Sequence, residues 1–327
     1  MMDRRKTLVV LAASGIFAPL ATRAQAPAGR TYRVGILGLT SAAGSGGVFD
    51  AMRVGLREFG YVEGRNLIIE SRWADDRYAS LPALAAELVR LKVDVLVTQG
   101  TAGVRAARHA TSTIPIVMAN VGGDPVANGL VASLARPGGN VTGTTTQGTD
   151  LSAKRMELVK ETLPHAQRVG VLFNPDNGGL AMKTIESAAA KLKLDLAVFE
   201  VREAEGIEGA FAAMPKRRVD ALIVFNDSML NAHVAQVVAA AARQKLPLFG
   251  IREVAEAGGL MAYGVNRQAV YRRSAYFVDK ILRGAKPAEI PVEQAARIEL
   301  IVNLKTAKAL GIRIPPALMA RADEVIE

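Results

Sequence analysis

Between Arg33 and Tyr263 the sequence repeats one unit, a short aliphatic run followed by an amphipathic segment, in two successive sets. Runs such as Val93–Thr98, Arg168–Phe173 and Ala221–Phe225 do not alternate apolar with polar residues. Continuous runs of this length fit strands buried on both faces, as in a parallel sheet covered by helices on either side. The first set reads as strands at Arg33–Leu39, Leu67–Trp73, Val93–Thr98, Ile114–Met118 and Val141–Thr145, with helices at Phe49–Phe59, Leu81–Leu91, Ala102–Ala110 and Val126–Ala135. The second reads as strands at Arg168–Phe173, Asp195–Val201, Ala221–Phe225, Pro247–Gly250 and Leu260–Tyr263. Its helices fall at Leu180–Leu192, Ile207–Met214, Met229–Gln244 and Arg252–Ala257. Right-handed βαβ crossovers then give an α/β chain with two open parallel sheets.

Each set closes in the same way. Val141–Thr145 leads through a Gly/Thr-rich bend into a helix at Ser152–Leu163, and Leu260–Tyr263 leads through Gly264-Val265-Asn266 into a helix at Ala269–Leu282. This symmetry points to two Rossmann-like lobes joined by a hinge, each sending its next helix to the other lobe. Residues 31–145 with about 266–300 form the first lobe, 146–265 form the second, and 301–327 lie near the hinge with no lobe assigned.

Ahead of the first strand stands Asp3-Arg4-Arg5-Lys6, then an apolar stretch from Leu8 to Leu20, then Ala24-Gln25-Ala26. Basic, apolar and small-residue segments in that order read as a cleaved secretory signal peptide over residues 1–26. The stretch is too short for a membrane helix, which needs about 20 apolar residues. Arg4-Arg5 is compatible with twin-arginine export or with ordinary leader charge. The chain has no cysteine, which excludes a disulfide framework and a lipidated cysteine at the cleavage site and fits a free periplasmic protein. The formal charge is +10; the leader carries four basic residues and one acidic residue, leaving +7 on the mature chain. That charge is spread thinly, with no basic stripe or binding motif for nucleic acid, and it favours small anionic or zwitterionic solutes.

In open α/β sheets ligands bind beyond the carboxyl ends of the strands. In the first lobe the polar residues there are Thr40, Ser41, Thr98, Gln99, Thr101, Asn120 and Asp124. In the second lobe they are Asn174, Asn177, Asn226, Asp227 and Arg252, with Glu253 beside the last. Hydrogen-bonding side chains facing each other across a cleft suit a small polar or zwitterionic ligand, and the helix opening at Thr101 offers free N–H groups to a carboxylate. Asp227 or Glu253 would hold an ammonium group. Ser, Thr, Asn and Asp are also the preferred helix N-caps, so each of these residues has a purely structural alternative. Trp73 is placed either to stack on a ligand or to pack near the hinge.

Catalytic readings find little support. Ala43-Gly44-Ser45-Gly46-Gly47 lacks the first glycine of a nucleophile elbow and stands several residues past its strand, so a flexible loop is expected there. His109, His165 and His233 have no metal-ligand spacing. Arg136-Pro137-Gly138-Gly139-Asn140 opens no helix and is not a phosphate loop. No catalytic residue, cofactor or metal is expected. The rivals to a binding protein are an exported hydrolase using Ser45 and a ligand sensor for a chemoreceptor.

Several longer segments carry a likeness. They are Gly55–Leu67, Thr111–Val117, Gly129–Gly143, Ala255–Tyr263, Val278–Pro287 and Asn303–Gly311. Together they resemble the ABC-transporter substrate-binding proteins, in the family that includes tryptophan/tyrosine-type receptors. The resemblance implies a type I periplasmic binding protein fold and a monomer that closes on a small amino-acid-like or carboxylate ligand. It also implies an ABC permease in the inner membrane as the docking partner.

Overall fold

The structure is a computed structural model that describes residues 30–146, 148–295 and 297–327, without the side chains of 148–150 and 177–181. The leader expected over residues 1–26 lies outside the described residues. The chain begins with β1 (Tyr32–Gly38), α1 (Ala42–Glu58), β2 (Leu67–Trp73), α2 (Leu81–Arg90), β3 (Val95–Gln99), α3 (Gly100–Ala110), β4 (Ile116–Val121) and β5 (Val141–Thr145). There follow α4 (Gly148–Thr162), β6 (Arg168–Phe173), α5 (Pro175–Lys191), β7 (Asp195–Glu200), α6 (Gly206–Arg217) and β8 (Ala221–Val224). Next come α7 (Ser228–Ala232), α8 (Val234–Arg243), β9 (Leu248–Gly250), α9 (Arg252–Glu256) and β10 (Met261–Val265). The chain ends with α10 (Arg267–Leu282), β11 (Glu293–Gln294), β12 (Ile298–Asn303), α11 (Leu304–Leu310), α12 (Pro316–Met319) and β13 (Glu324–Ile326).

Two sheets result. One has six strands in the order β11-β5-β4-β3-β1-β2, and the other has seven in the order β13-β12-β10-β9-β8-β6-β7. The pairings are parallel except that of β10 with β12. The period of two along a strand explains how aliphatic runs feed both faces. In β1, Val34 and Ile36 enter a cluster with Phe49, Met52 and Leu56 of α1 and Phe277, Val278 and Ile281 of α10. Leu37 and Leu39 point the other way, to Leu81, Ala85 and Leu88 of α2 and Val104 of α3.

Helices that follow a crossing serve the opposite lobe. α10 lies on α1 so closely that a Cβ on Gly55 would meet Arg272 O at 2.6 Å. α4 gives Met156, Leu158 and Val159 to the second lobe's core, beside Val169 and Val171 of β6 and Leu300 and Val302 of β12. The second lobe therefore takes in the C-terminal segment, and its sheet begins to recruit it at Ile298.

Three local expectations are corrected. Ala43–Gly47 is no loop but the first turns of α1, capped by Ser41 accepting from Gly44 N–H. Gly44 serves packing there, since a Cβ on it would sit 2.8 Å from Ala232 Cβ, whereas Gly46 and Gly47 have open space beside them. Val126–Ala135 is turns rather than helix, because Gly129 takes φ +65° and its N–H returns to Val126 O. The expected helix Met229–Gln244 is two helices, α7 and α8, meeting at His233.

Candidate ligand-binding cleft

The carboxyl ends of the two sheets face each other across a cleft, and the lobes touch across it. Tyr78, in the turn between β2 and α2, packs its ring against both lobes' apolar clusters and donates its hydroxyl to Asp227 Oδ2 at 3.2 Å. His233 Nε2 lies 2.8 Å from Asp76 Oδ2. Arg267 Nη1, at the start of α10, donates to Glu253 Oε1 of α9 at 3.0 Å. These contacts define a closed conformation.

Between them lies a cavity of about 20 Å³, lined from the first lobe by Gly100, Asn120, Gly122, Arg267 and Tyr271 and from the second by Asn226, Ser228 and Asn231. A buried hydrogen-bond chain supports its floor. Tyr271 donates to Gln99 Oε1, Gln99 Nε2 donates to Ser45 Oγ at 3.2 Å, and Ser45 shares a 2.5 Å bond with Thr40. Burial pushes the Tyr271 phenol up to about 12 against the pull of Arg267, so it stays a donor at neutral pH. Burial also opposes the charge on Arg267, but Glu253 and Tyr271 more than offset it and raise the guanidinium above its ordinary value.

Several buried polar atoms at this place have no partner among the described residues: Asn120 Oδ1, Asn231 Oδ1, Glu253 Oε2 and Arg267 Nε. Leaving such an atom unmatched costs about 1–3 kcal/mol, so a cluster of them marks a place built for a polar guest. The set holds a guanidinium, a carboxylate and amides. It can therefore receive both signs of charge.

Asn120 and Asn226 line the cavity, while Thr40 and Gln99 brace it from within the first lobe. Thr101 is buried in the first turn of α3, whose N-cap makes no side-chain bond. Other candidates are occupied by the fold. Ser41 caps α1, and Thr98 donates to Leu37 O. Asp124 accepts from Val126 and Ala127 N–H. Asn174 caps α5 and donates to Asp227 at 3.4 Å. Asp227 caps α7 as well as receiving Tyr78. Arg252 turns from the cleft to Glu256, Glu299 and Glu324 at 3.0, 2.6 and 2.8 Å, and its neighbour Glu253 faces Arg267 instead. The side chain of Asn177 lies outside the described residues. Trp73 packs edge-on to Phe49 at 5.6 Å and over Gly38.

Sequence reasoning missed Arg267, Tyr271 and Asn231. Arg267 stands two residues beyond β10, where the rule of strand ends applies, in the segment that crosses from one lobe to the other. Ser45 has Thr40 and Gln99 as hydroxyl partners, neither of them a general base. Among the described residues no group of His, Cys, Asp or Glu is placed to hold a metal, and no helix is long and apolar enough to cross a membrane.

Residues 33–326 match the family described as ABC transporter substrate binding protein. The chain belongs to this family. Its members bind ligands and are not enzymes. The chain is 29% identical over 262 residues to a tyrosine-binding protein of Clostridioides difficile strain R20291, covering 79% of this chain and 74% of that protein. It superposes with a TM-score of 0.83, at 30% identity, on a conserved domain protein from Vibrio cholerae, covering 90% of this chain and all of the other. An ABC domain from Streptococcus pneumonia in complex with L-Trp gives 0.82 at 26% identity, with 90% of this chain and 100% of that one covered. Solute-binding structures of lower identity share the two-lobed type I periplasmic binding protein fold.

Proposed function

We propose that this ABC transporter substrate-binding protein is an exported receptor that closes on an amino acid in the cleft and delivers it to a membrane permease for import. The cluster of unpartnered buried atoms of both charge signs, where two lobes meet, carries this reading. Arg267 and the N-terminus of α3, where Gly100 lines the cavity, offer donors to a carboxylate, and Glu253 and the asparagine oxygens offer acceptors to an ammonium group. The similarity to proteins described as tyrosine-binding and as bound to L-Trp supports an aromatic side chain. A cavity of about 20 Å³ holds roughly one water, so an amino acid needs the lobes to part at the crossings after β5, β10 and β11 to enter, and needs the lining side chains to repack around it when they close.

Isothermal titration of the purified mature protein with L-tryptophan, L-tyrosine, aliphatic amino acids and neutral sugars tests the reading. Saturable binding of an amino acid, with a smaller radius of gyration on saturation, is expected. Binding of a neutral sugar alone would refute it.

A further inference from the structure

Among the described residues Arg155 is the largest fully buried side chain, and it takes no part in the cavity's lining. It comes from α4, the first helix after the chain leaves the first lobe. Its Nε donates to Tyr263 O at 2.8 Å, and its guanidinium passes over Gly264, where a side chain would begin 3.1 Å from Nη2. That places the group beside the end of β10, next to the β10–α10 crossing. Both Nη1 and Nη2 are buried without a hydrogen-bond partner among the described residues.

The surroundings show what is missing. Glu253 acts on Arg155 electrostatically but makes no hydrogen bond to it: its Oε1 accepts from Arg267, and its Oε2 has no partner among the described residues. Burial pulls the Arg155 guanidinium down to about 10 while Glu253 works the other way, so the group is charged at neutral pH. Two guanidinium groups thus share one carboxylate, and the buried centre carries one uncompensated positive charge. An unpaired buried charge is costly, and two adjacent N–H edges of a guanidinium match the two oxygens of a carboxylate.

We propose that Arg155, with Arg267, forms a subsite that reads a carboxylate on the ligand, whose negative charge completes the closed state. The inference rests on the amino-acid reading of the cleft and adds to it which end of the ligand points to the hinge. The carboxylate meets Arg155 and Arg267, and the ammonium group turns to the free Oε2 of Glu253.

Titration calorimetry with L-tryptophan, L-tryptophanamide and indole-3-propionate separates the possibilities. The wild type should prefer the acid over the amide by roughly 10- to 100-fold, the worth of hydrogen bonds to a charged group. Arg155→Gln should reduce that preference to under about threefold by weakening the acid and sparing the amide, a pattern that general damage to the fold does not produce. Arg155→Lys keeps the charge and should restore part of the preference. Glu253→Gln, at a less buried position, removes the one negative charge and should tighten indole-3-propionate; it decides the matter if Arg155→Gln does not fold. Equal binding of acid and amide by the wild type, equal weakening of both in Arg155→Gln, or no effect of Glu253→Gln on indole-3-propionate would overturn the proposal and leave the amino-acid reading standing. Binding of indole-3-propionate without any amino acid would support the carboxylate subsite and remove the amino-acid reading.

Discussion

Replacing Tyr78 by Phe removes one oxygen from the contact that closes the lobes. The lost bond is the 3.2 Å donation to Asp227 Oδ2, while the ring stays packed between the two apolar clusters. Asp227 is not stranded, because it still accepts from Met229 N–H at 2.9 Å, Leu230 N–H at 3.2 Å and Asn174 Nδ2 at 3.4 Å. The cost to the closed state therefore falls near the low end for a bond to a charged acceptor, about 1–2 kcal/mol, or a factor of roughly 5–30. If the closed form is the minority without ligand, that whole factor passes into the apparent Kd. The phenylalanine variant should weaken L-tryptophan binding by that factor through faster dissociation, and Tyr78→Ala should weaken it further. Stopped-flow dissociation with scattering of the unliganded protein makes the measurement. An unchanged off-rate and unchanged radius of gyration in both variants would show that this contact does not hold the lobes together.

Three other outcomes follow from the geometry. Arg252→Met should cost about 1–3 kcal/mol in urea unfolding, because buried Glu299 loses its 2.6 Å partner, and should leave ligand Kd unchanged. Gly143→Ala should cost about 2–4 kcal/mol by the same assay, since the residue has φ +132° and its Cβ would lie 2.2 Å from Met118 O. Burial, with help from Asp279 at Tyr61 and Asp227 at Tyr78, raises the phenols of Tyr61, Tyr78 and Tyr271 above the ordinary 10.0. Raised phenols stabilise the fold fully below that value and lose the effect as pH climbs through the folded values. Urea midpoints should therefore fall as pH rises above 10, and these tyrosines should ionise late in an ultraviolet absorbance titration.

The strands were readable because runs such as Val95–Gln99 are buried along their whole length, which leaves no polar face to confuse the pattern. The crossings were readable because strand, bend and long helix recur at the end of each set. Other features depend on partners distant in sequence. Glu293–Gln294 becomes a strand only through pairing with Thr144 and Thr145. Arg252 and Glu253 are neighbours on one short helix, about 100° apart around its axis, and no local pattern says which of them faces the cleft. Arg267 and Tyr271 reach the site because α10 has returned to the first lobe, which is a fact of topology rather than of spacing. The polar strand-end residues divided as their dual chemistry allows: Asn120 and Asn226 line the cavity, while Ser41 and Asp124 satisfy backbone N–H groups.

The interleaving of the lobes along the chain also sets the order in which the protein can be finished. The first lobe lacks a wall until α10 arrives, because Tyr271, Phe277, Val278 and Ile281 close the face over β1 and β3. At about 1.5–3 kcal/mol for each such side chain, a fragment ending at Thr145 forgoes an amount comparable to the whole stability of a domain. The second lobe in turn waits for β12, which brings Leu300 and Val302 beside α4 and β6. A ribosome must therefore deliver the polypeptide nearly to its end before either half can settle, and the long separation of the pairing partners slows that step further. During this interval the chain remains pliable enough to be threaded.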